Sequence, residues 1–302
     1  MVMQKNKKYD IVGIGNAIVD LIAEVDDSYL EKNSINKGSM SLVDYDVANR
    51  IGNEVDIVKT ISGGSVANSI VCIAQQNLKT VFIGKVNQDE LGEKFAKGLA
   101  EENVEFKITK SLANKHTARC IILVSPDAER TMNTYLGVSQ ELTEEDVDLN
   151  IIEESSILYL EGYLWDLDNA KKAIKKSIST AINSETKIAF SISDAFCVDR
   201  FREEFIDLVN NSADIIFANE SEIKSLFETN ELNDAIKKCQ DTKKIFAVTL
   251  GDKGAKIIYK NEVIDIKAEV INKLVDTTGA GDLFAAGFLA EYLKTQDLEL
   301  SG

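Results

Sequence analysis

The chain has 302 residues, 44% of them hydrophobic and 28% charged, with a formal net charge of −16. These are the fractions of a globular protein, with room for one large α/β domain or two ordinary ones. The acidic balance disfavours nucleic acid and anionic membrane surfaces as partners, so a phosphate site would need local positive potential from helix ends, a bound cation or a few Lys and Arg. Met1 to Asp10 is polar and basic without an apolar core, which argues against a signal peptide. No apolar run approaches membrane-spanning length. Cys72, Cys120, Cys197 and Cys239 are far apart and His116 is the only histidine. That pattern suggests a reduced, cytoplasmic protein and argues against zinc chemistry and a Ser-His-Asp site. Cys72 and Cys120 lie in apolar runs and read as core residues, while His116 sits in a polar stretch and reads as a bystander.

In chain order, Tyr9 to Gly15 reads as a buried strand ending in glycines. Ala17 to Val25 and Gly38 to Val43 alternate weakly. Ser65 to Gln75 has helical spacing, and Thr80 to Gly84 is a short buried strand. Thr117 to Val124 and Arg130 to Leu136 read as two strands joined by a turn at Ser125-Pro126-Asp127. Strand-length apolar runs follow at Ile157 to Leu160, Ile188 to Ile192, Ile215 to Ala218 and Ile245 to Leu250. Helical stretches at Asn169 to Ile182, Arg200 to Asn210 and Glu220 to Phe227 separate them, and Leu283 to Leu293 is a last apolar-periodic helix. Strands alternating with helices predict a mostly parallel central sheet with helices on both faces. The segments at about 16–45 and 115–138 break that rhythm and read as a small β-sheet lid inserted into a single domain, 1–302.

The stretch Asp276-Thr277-Thr278-Gly279-Ala280-Gly281-Asp282 is the most informative. It is a small-residue loop feeding a helix N-terminus, where unpaired N–H groups and the helix dipole favour an anion. Gly279 and Gly281 leave the backbone open to a phosphate, and Asp282 adds a carboxylate within the first turn. A base beside an anion hole suits phosphoryl transfer to a hydroxyl. Read alone, the stretch is also an ordinary capped helix start. Elsewhere, Gly13-x-Gly15 follows a strand, but position 18 is Ile and the third glycine of a dinucleotide fingerprint is missing; no P-loop is present either. In Gly15-Asn16-Ala17-Ile18-Val19-Asp20, Asp20 is the lone carboxylate of an apolar stretch, suited to accept hydrogen bonds from vicinal hydroxyls. Gly63 and Gly64 of Ser62-Gly63-Gly64-Ser65-Val66-Ala67-Asn68 permit close approach of a ligand, with Asn68 offering donors and an acceptor. Taken singly, each of these is also a solvated loop or a helix-starting turn.

Together these segments resemble the ribokinase-like (PfkB) family of carbohydrate and nucleoside kinases, over essentially the whole chain from Tyr9 to Leu298. The resemblance implies an α/β domain with a β-sheet lid over the sugar site. It implies that Asp282 is the catalytic base, with Gly279, Ala280 and Gly281 as the anion hole. Asn16, Asp20, Gly63, Gly64 and Asn68 would bind substrate. Asn219-Glu220-Ser221-Glu222 resembles the family's Asn-x-x-Glu motif near metal and phosphates, with Asn219 toward the nucleotide and Glu222 toward Mg²⁺ through water. Thr249-Leu250-Gly251-Asp252-Lys253-Gly254 resembles its T-x-G-x-x-G loop, which places Thr249, Gly251 and Gly254 at ATP and makes Lys253 a phosphate candidate. Arg130 matches an arginine that reaches the transferring phosphate in related nucleoside kinases. A monovalent cation, K⁺, is implied near the Asp276 loop. Glu161 to Asp166, Ser193 to Arg200 and Arg130 to Gly137 look like bacterial proteins described as adenosine kinases, with Met40, Tyr163 and Leu164 as candidate walls for a purine. Family members usually continue for one or two helices that help shape the adenine pocket, whereas this chain stops at Gly302. The expected function is ATP-dependent, Mg²⁺-assisted phosphorylation of the 5′-hydroxyl of a ribosyl substrate, most simply adenosine to AMP. The alternatives are a ribokinase- or fructokinase-type sugar kinase and a non-catalytic nucleotide or sugar sensor. The partner is a small molecule, with no nucleic acid and no membrane; the sequence gives no oligomeric state.

Overall fold

A computed structural model describes residues 7–111, 115–269 and 279–302. The chain opens with β1 (Tyr9–Ile14), then β2 (Ile18–Glu24), α1 (Asp27–Lys32), β3 (Met40–Leu42), α2 (Tyr45–Glu54) and β4 (Ile57–Gly63). Next come α3 (Ser65–Ala74), β5 (Thr80–Asn87), α4 (Glu90–Glu101), β6 (Glu105–Ser111), β7 (Ala118–Val124) and β8 (Arg130–Tyr135). The second half runs α5 (Leu149–Glu153), β9 (Ser155–Glu161), α6 (Asp168–Asn183), β10 (Lys187–Ser191), α7 (Ala195–Asn211), β11 (Ile215–Asn219), α8 (Glu220–Leu226) and α9 (Leu232–Thr242). It closes with β12 (Ile245–Thr249), β13 (Ala255–Tyr259), β14 (Glu262–Ile266), α10 (Ala280–Thr295) and α11 (Leu298–Ser301).

Nine strands form the main sheet in the order β14-β13-β12-β11-β10-β9-β1-β5-β6. It is parallel from β6 to β12, and β13 and β14 add an antiparallel edge. The β-branched runs of these strands are buried on both faces, as a parallel sheet requires. Val12, Ile14, Leu158 and Phe190 face one layer of helices with Ile174 of α6 and Phe205 of α7. Ile11, Tyr159 and Phe217 face the other, with Ile70 of α3, Phe95 of α4 and Phe288 of α10. Each large apolar side chain so buried contributes about 1.5–3 kcal/mol. The main sheet and both helical layers are those expected from the alternating pattern.

The second sheet has the order β3-β8-β7-β2-β4. Ala23, Ile121 and Leu123 on one face pack with Leu30 of α1 and Ala48 and Ile51 of α2. The alternate residues Asp20, Cys120, Met132 and Thr134 line a cleft against the main sheet. The lid is therefore larger than the two segments expected from sequence. α2 and β4 belong to it, with β4 paired antiparallel to β2 from Ile18↔Gly63 to Ala23↔Ile57. β4 was not legible because it is an edge strand with polar and exposed positions such as Lys59 and Thr60 and no clean alternation. Cys120 is buried as expected, whereas Cys72 is only half-buried. The ring of His116 stacks on Tyr45 with centroids 4.0 Å apart, where the chain enters the lid. No helix among the described residues is long and apolar enough to cross a membrane.

Candidate active site

The carboxyl ends of β1, β9, β10, β11 and β12 lie along one edge of the main sheet. The direction of chain winding reverses between β1 and β9, which is where open α/β sheets leave a crevice for a ligand. A cavity of about 390 Å³ opens there beneath the lid. The main sheet supplies Tyr163, Ser191, Ser193, Phe217, Asn219 and Thr249. The lid supplies Ile18, Asp20, Cys120, Met132 and Thr134, and the N-termini of α3 and α10 supply Gly64, Ser65, Asn68 and Gly279 to Asp282.

α10 starts after Gly279, which is left-handed at φ 73° and, as the N-cap, offers no side-chain cap. Among the described residues, no side chain caps the first-turn N–H groups, and Gly279 to Asp282 line the cavity. Asp282, in that turn, is held by one face of α3. Ser65 Oγ donates to Oδ1 at 2.6 Å and Asn68 Nδ2 donates to Oδ2 at 3.1 Å. Fully buried Ser69 donates through Oγ to the Asp282 carbonyl at 2.8 Å. These positions, i, i+3 and i+4, share one helix face. Burial raises the Asp282 carboxyl from its ordinary value, and the Ser65 and Asn68 hydrogen bonds oppose that rise.

Asp20 faces the same cavity from β2. Burial pushes its carboxyl up to about 7, with Arg130 pulling it down and the charge of Asp282 pushing it up. Arg130, at the start of β8, lies with Asp20, Asn68 and Gly279 along an adjoining groove. Gly63 packs on Asp20: a Cβ there would lie 2.5 Å from Asp20 Oδ2. Gly64, at φ 103°, leaves no room for a side chain against the Asn16 carbonyl. These two glycines thus shape the β4–α3 loop around Asp20, and only Gly64 lines the cavity.

Asn16 departs from expectation. It is buried and its amide is bonded inside the protein, with Nδ2 donating to Glu161 Oε1 at 2.8 Å and Oδ1 accepting from Ser139 at 2.9 Å. Glu161, which sequence reading passed over, is the hub of this network. It also accepts the N–H of Asn16 at 2.8 Å and of Val66 at 3.0 Å, tying β9 to β1 and to the start of α3. Burial pushes its carboxyl up to about 7 against those N–H donors.

Of the three candidate purine walls, only Tyr163 lines the cavity, its hydroxyl donating to the Ser193 carbonyl at 3.3 Å. The short 3₁₀ turn Gly162–Trp165 points Leu164 into the core instead, where it is 1% exposed. Met40 is 48% exposed on β3; its register partner on β8, Met132, lines the cavity in its place. Phe217, Phe284 and Ala247 complete the apolar lining. Ser193 is held at φ 79°, unusual for a residue with a side chain, and its Oγ accepts the Gly162 N–H at 2.8 Å.

Asn219 and Glu222 form a reciprocal capping box at the start of α8, Glu222 accepting from Asn219 Nδ2 at 2.5 Å and from its N–H at 2.9 Å. Both line the cavity, and burial pushes Glu222 up to about 7. Thr249 lines it too, whereas Gly251 and Gly254 lie in the turn between β12 and β13 and are not part of its wall. Gly254, at φ 91°, backs directly onto the Ile266 carbonyl, so the hairpin itself demands that glycine. Asp276 lies outside the described residues. No group of three or more His, Cys, Asp or Glu among the described residues forms a direct metal cage. Mg²⁺ keeps several waters and is held mainly by a substrate's phosphates, so a single carboxylate such as Glu222 fits it.

A parallel α/β sheet, a β-sheet lid and a carboxylate beside an open helix N-terminus define a small-molecule kinase of the ribokinase-like type. The chain belongs to the pfkB carbohydrate kinase family, whose model matches residues 10–302. It is similar to the solved structure of an adenosine kinase from Sinorhizobium meliloti, at 41% identity and a TM-score of 0.89 over 97% of this chain and 90% of that one. A second solved structure, described as a "probable sugar kinase" from Rhizobium etli CFN 42, matches at 38% identity and a TM-score of 0.89, over 97% and 89%. A ribokinase of Arabidopsis thaliana is 29% identical over 256 residues, 80% of this chain and 64% of that protein. The family and fold make this chain a sugar or nucleoside kinase.

Proposed function

We propose that the protein transfers the γ-phosphoryl group of ATP to the 5′-hydroxyl of a ribosyl substrate, adenosine being the acceptor that fits best. The observation that carries the reading is Asp282: a carboxylate locked by α3 in the first turn of α10, beside uncapped N–H groups. Among the described residues, a Cβ added at Gly281 would meet no atom within 4 Å outside its own helix turn, and Gly281 lacks a positive φ. No described residue asks for glycine there, whereas room for a phosphoryl group does.

As the acceptor oxygen bonds to phosphorus, the bond from phosphorus to the β,γ-bridging oxygen breaks and ADP leaves with that electron pair. The acceptor proton passes to Asp282, whose proton affinity burial raises. The N–H groups of Gly279, Ala280 and Gly281 face the charge on the transferring group. Asp20 and Asn68 meet the ribose hydroxyls, and Arg130 the phosphate. Tyr163, Met132, Phe217 and Phe284 give the cavity apolar walls for a base. Asn219 and Thr249 lie on the nucleotide side. Mg²⁺, held by the phosphates with Glu222 reached through water, would neutralise phosphate charge. The lid sheet excludes water that would hydrolyse ATP.

The similarity to an adenosine kinase at 41% identity supports the nucleoside. The similarity to a ribokinase keeps a free sugar as the second reading. The test is steady-state phosphorylation of adenosine, inosine, ribose and fructose with saturating Mg-ATP. Adenosine is expected to exceed the free sugars by at least about 10²-fold in kcat/KM, because burying a purine contributes a few kcal/mol and orients the 5′-hydroxyl. Equal turnover of a free sugar refutes the nucleoside reading and keeps the kinase. No ATP consumption with any acceptor points to a sensor.

A further inference from the structure

To serve as a base, Asp282 must hold both its orientation and its charge. Three side chains of α3 reach the first turn of α10, and they divide the work. Ser69 holds the backbone carbonyl at 2.8 Å. Asn68 touches Oδ2 at 3.1 Å and, like Ser65, lines the cavity. Ser65 makes the shortest bond of the three, 2.6 Å to Oδ1. Its other neighbours offer it no competing hydrogen-bond partner among the described residues. The backbone places it firmly. Gly64 before it is fixed at φ 103°, and the Val66 N–H after it is bound by buried Glu161 at 3.0 Å.

We propose that Ser65 is a positioning residue for Asp282: its hydroxyl orients the carboxylate and stabilises its negative charge in a site that otherwise disfavours charge. The reading rests on Asp282 being the base of the kinase reaction. The need for such a donor is clear from the surroundings. Asp20 from β2 and Glu161 from β9 are acidic neighbours whose own proton affinities the charge of Asp282 raises, and Tyr159 on β9 feels it too. Arg130 from β8 acts on Asp20. Burial of Asp282 adds to the acidic pressure. Ser65 and Asn68 are the side chains that oppose these effects at the carboxylate itself, and Ser65 is the stronger.

The test compares Ser65→Ala and Ser65→Thr with the wild type. Ala is a good helix residue, and Ser65 is not the N-cap, so Ser65→Ala should fold. The Asp282 carboxyl is titrated by ¹³C NMR with Asp282→Asn as the assignment blank, and kcat/KM is followed against pH with Mg-ATP and adenosine. In Ser65→Ala the Asp282 titration and the acid limb of kcat/KM are expected to move up together by about 1–2 pH units. That is the size of one hydrogen bond to a charged group. Ser65→Thr, which keeps the hydroxyl, restores both. Because Ser65 also lines the cavity, the assignment is read from the titration and the acid limb and not from binding affinities. An unshifted titration in Ser65→Ala, or an equal shift in Ser65→Thr, overturns the assignment. A shifted titration in a protein that phosphorylates no acceptor supports the Ser65 assignment and refutes the kinase reading instead.

Discussion

Asp282→Asn isolates the chemistry from the architecture. The carboxylate accepts from Ser65 at 2.6 Å and Asn68 at 3.1 Å. An asparagine keeps one oxygen for Asn68 Nδ2, and its amide group can face Ser65, whose hydroxyl rotates to accept instead of donate. Neither partner is orphaned, so the change in stability should stay within about 1 kcal/mol. Removing a charge that burial disfavours works in the same stabilising direction. The amide nitrogen, however, has no lone pair to take the acceptor proton. Loss of general-base help is worth roughly 10²–10⁴-fold in kcat, about 3–5 kcal/mol in the barrier. The assay is kcat with saturating Mg-ATP and adenosine, alongside thermal unfolding and calorimetry of ATP binding. The expected result is unchanged unfolding and ATP affinity with turnover down at least a hundredfold. A variant that kept more than about a tenth of wild-type kcat would falsify the assignment of Asp282 as base.

Asp20→Ala should weaken ribosyl-substrate binding by about 1.5–3 kcal/mol and leave ATP affinity nearly unchanged by calorimetry, whereas the reverse pattern would exchange the two sites. Because folding raises the Asp20 carboxyl to about 7, the folded state binds more protons than the unfolded one between about pH 4 and 7. Its contribution is therefore fully present below the unfolded value and is lost as pH rises through 7. Asp20→Asn should accordingly gain in stability relative to wild type across that window in denaturant melts at stepped pH; a parallel pair of curves would show that Asp20 is solvated. Gly64→Ala forces a side chain toward the Asn16 carbonyl at φ 103° and should cost about 2 kcal/mol or more in denaturant melts, a loss that a silent substitution would disprove.

The local chemistry of the site was written in the sequence. A loop of small residues before an apolar-periodic run makes a helix N-terminus at Gly279, and a glycine pair before Ser65 makes another at Gly64, because both depend on residues close in the chain. The alternation of buried strands and helices likewise fixed the parallel main sheet. The assembly of the site was decided only by the tertiary structure. Ser65, Asn68 and Ser69 sit more than two hundred residues from Asp282, and nothing local in α3 says that one of its faces will hold the first turn of α10. Glu161 reads as a surface-type residue, yet β9 ends in the interior and surrounds it with N–H groups. Asn16 looks available until Glu161 and Ser139 are seen to occupy it. Met132 displaces Met40 as a cavity wall, and Leu164 turns inward beside Tyr163, because the lid's parallel pairing of β3 with β8 and the 3₁₀ turn after β9 set which side chains face the cleft. Local propensity is carried by neighbours in sequence; the direction a side chain faces is set by long-range packing, which strand-length patterns do not encode.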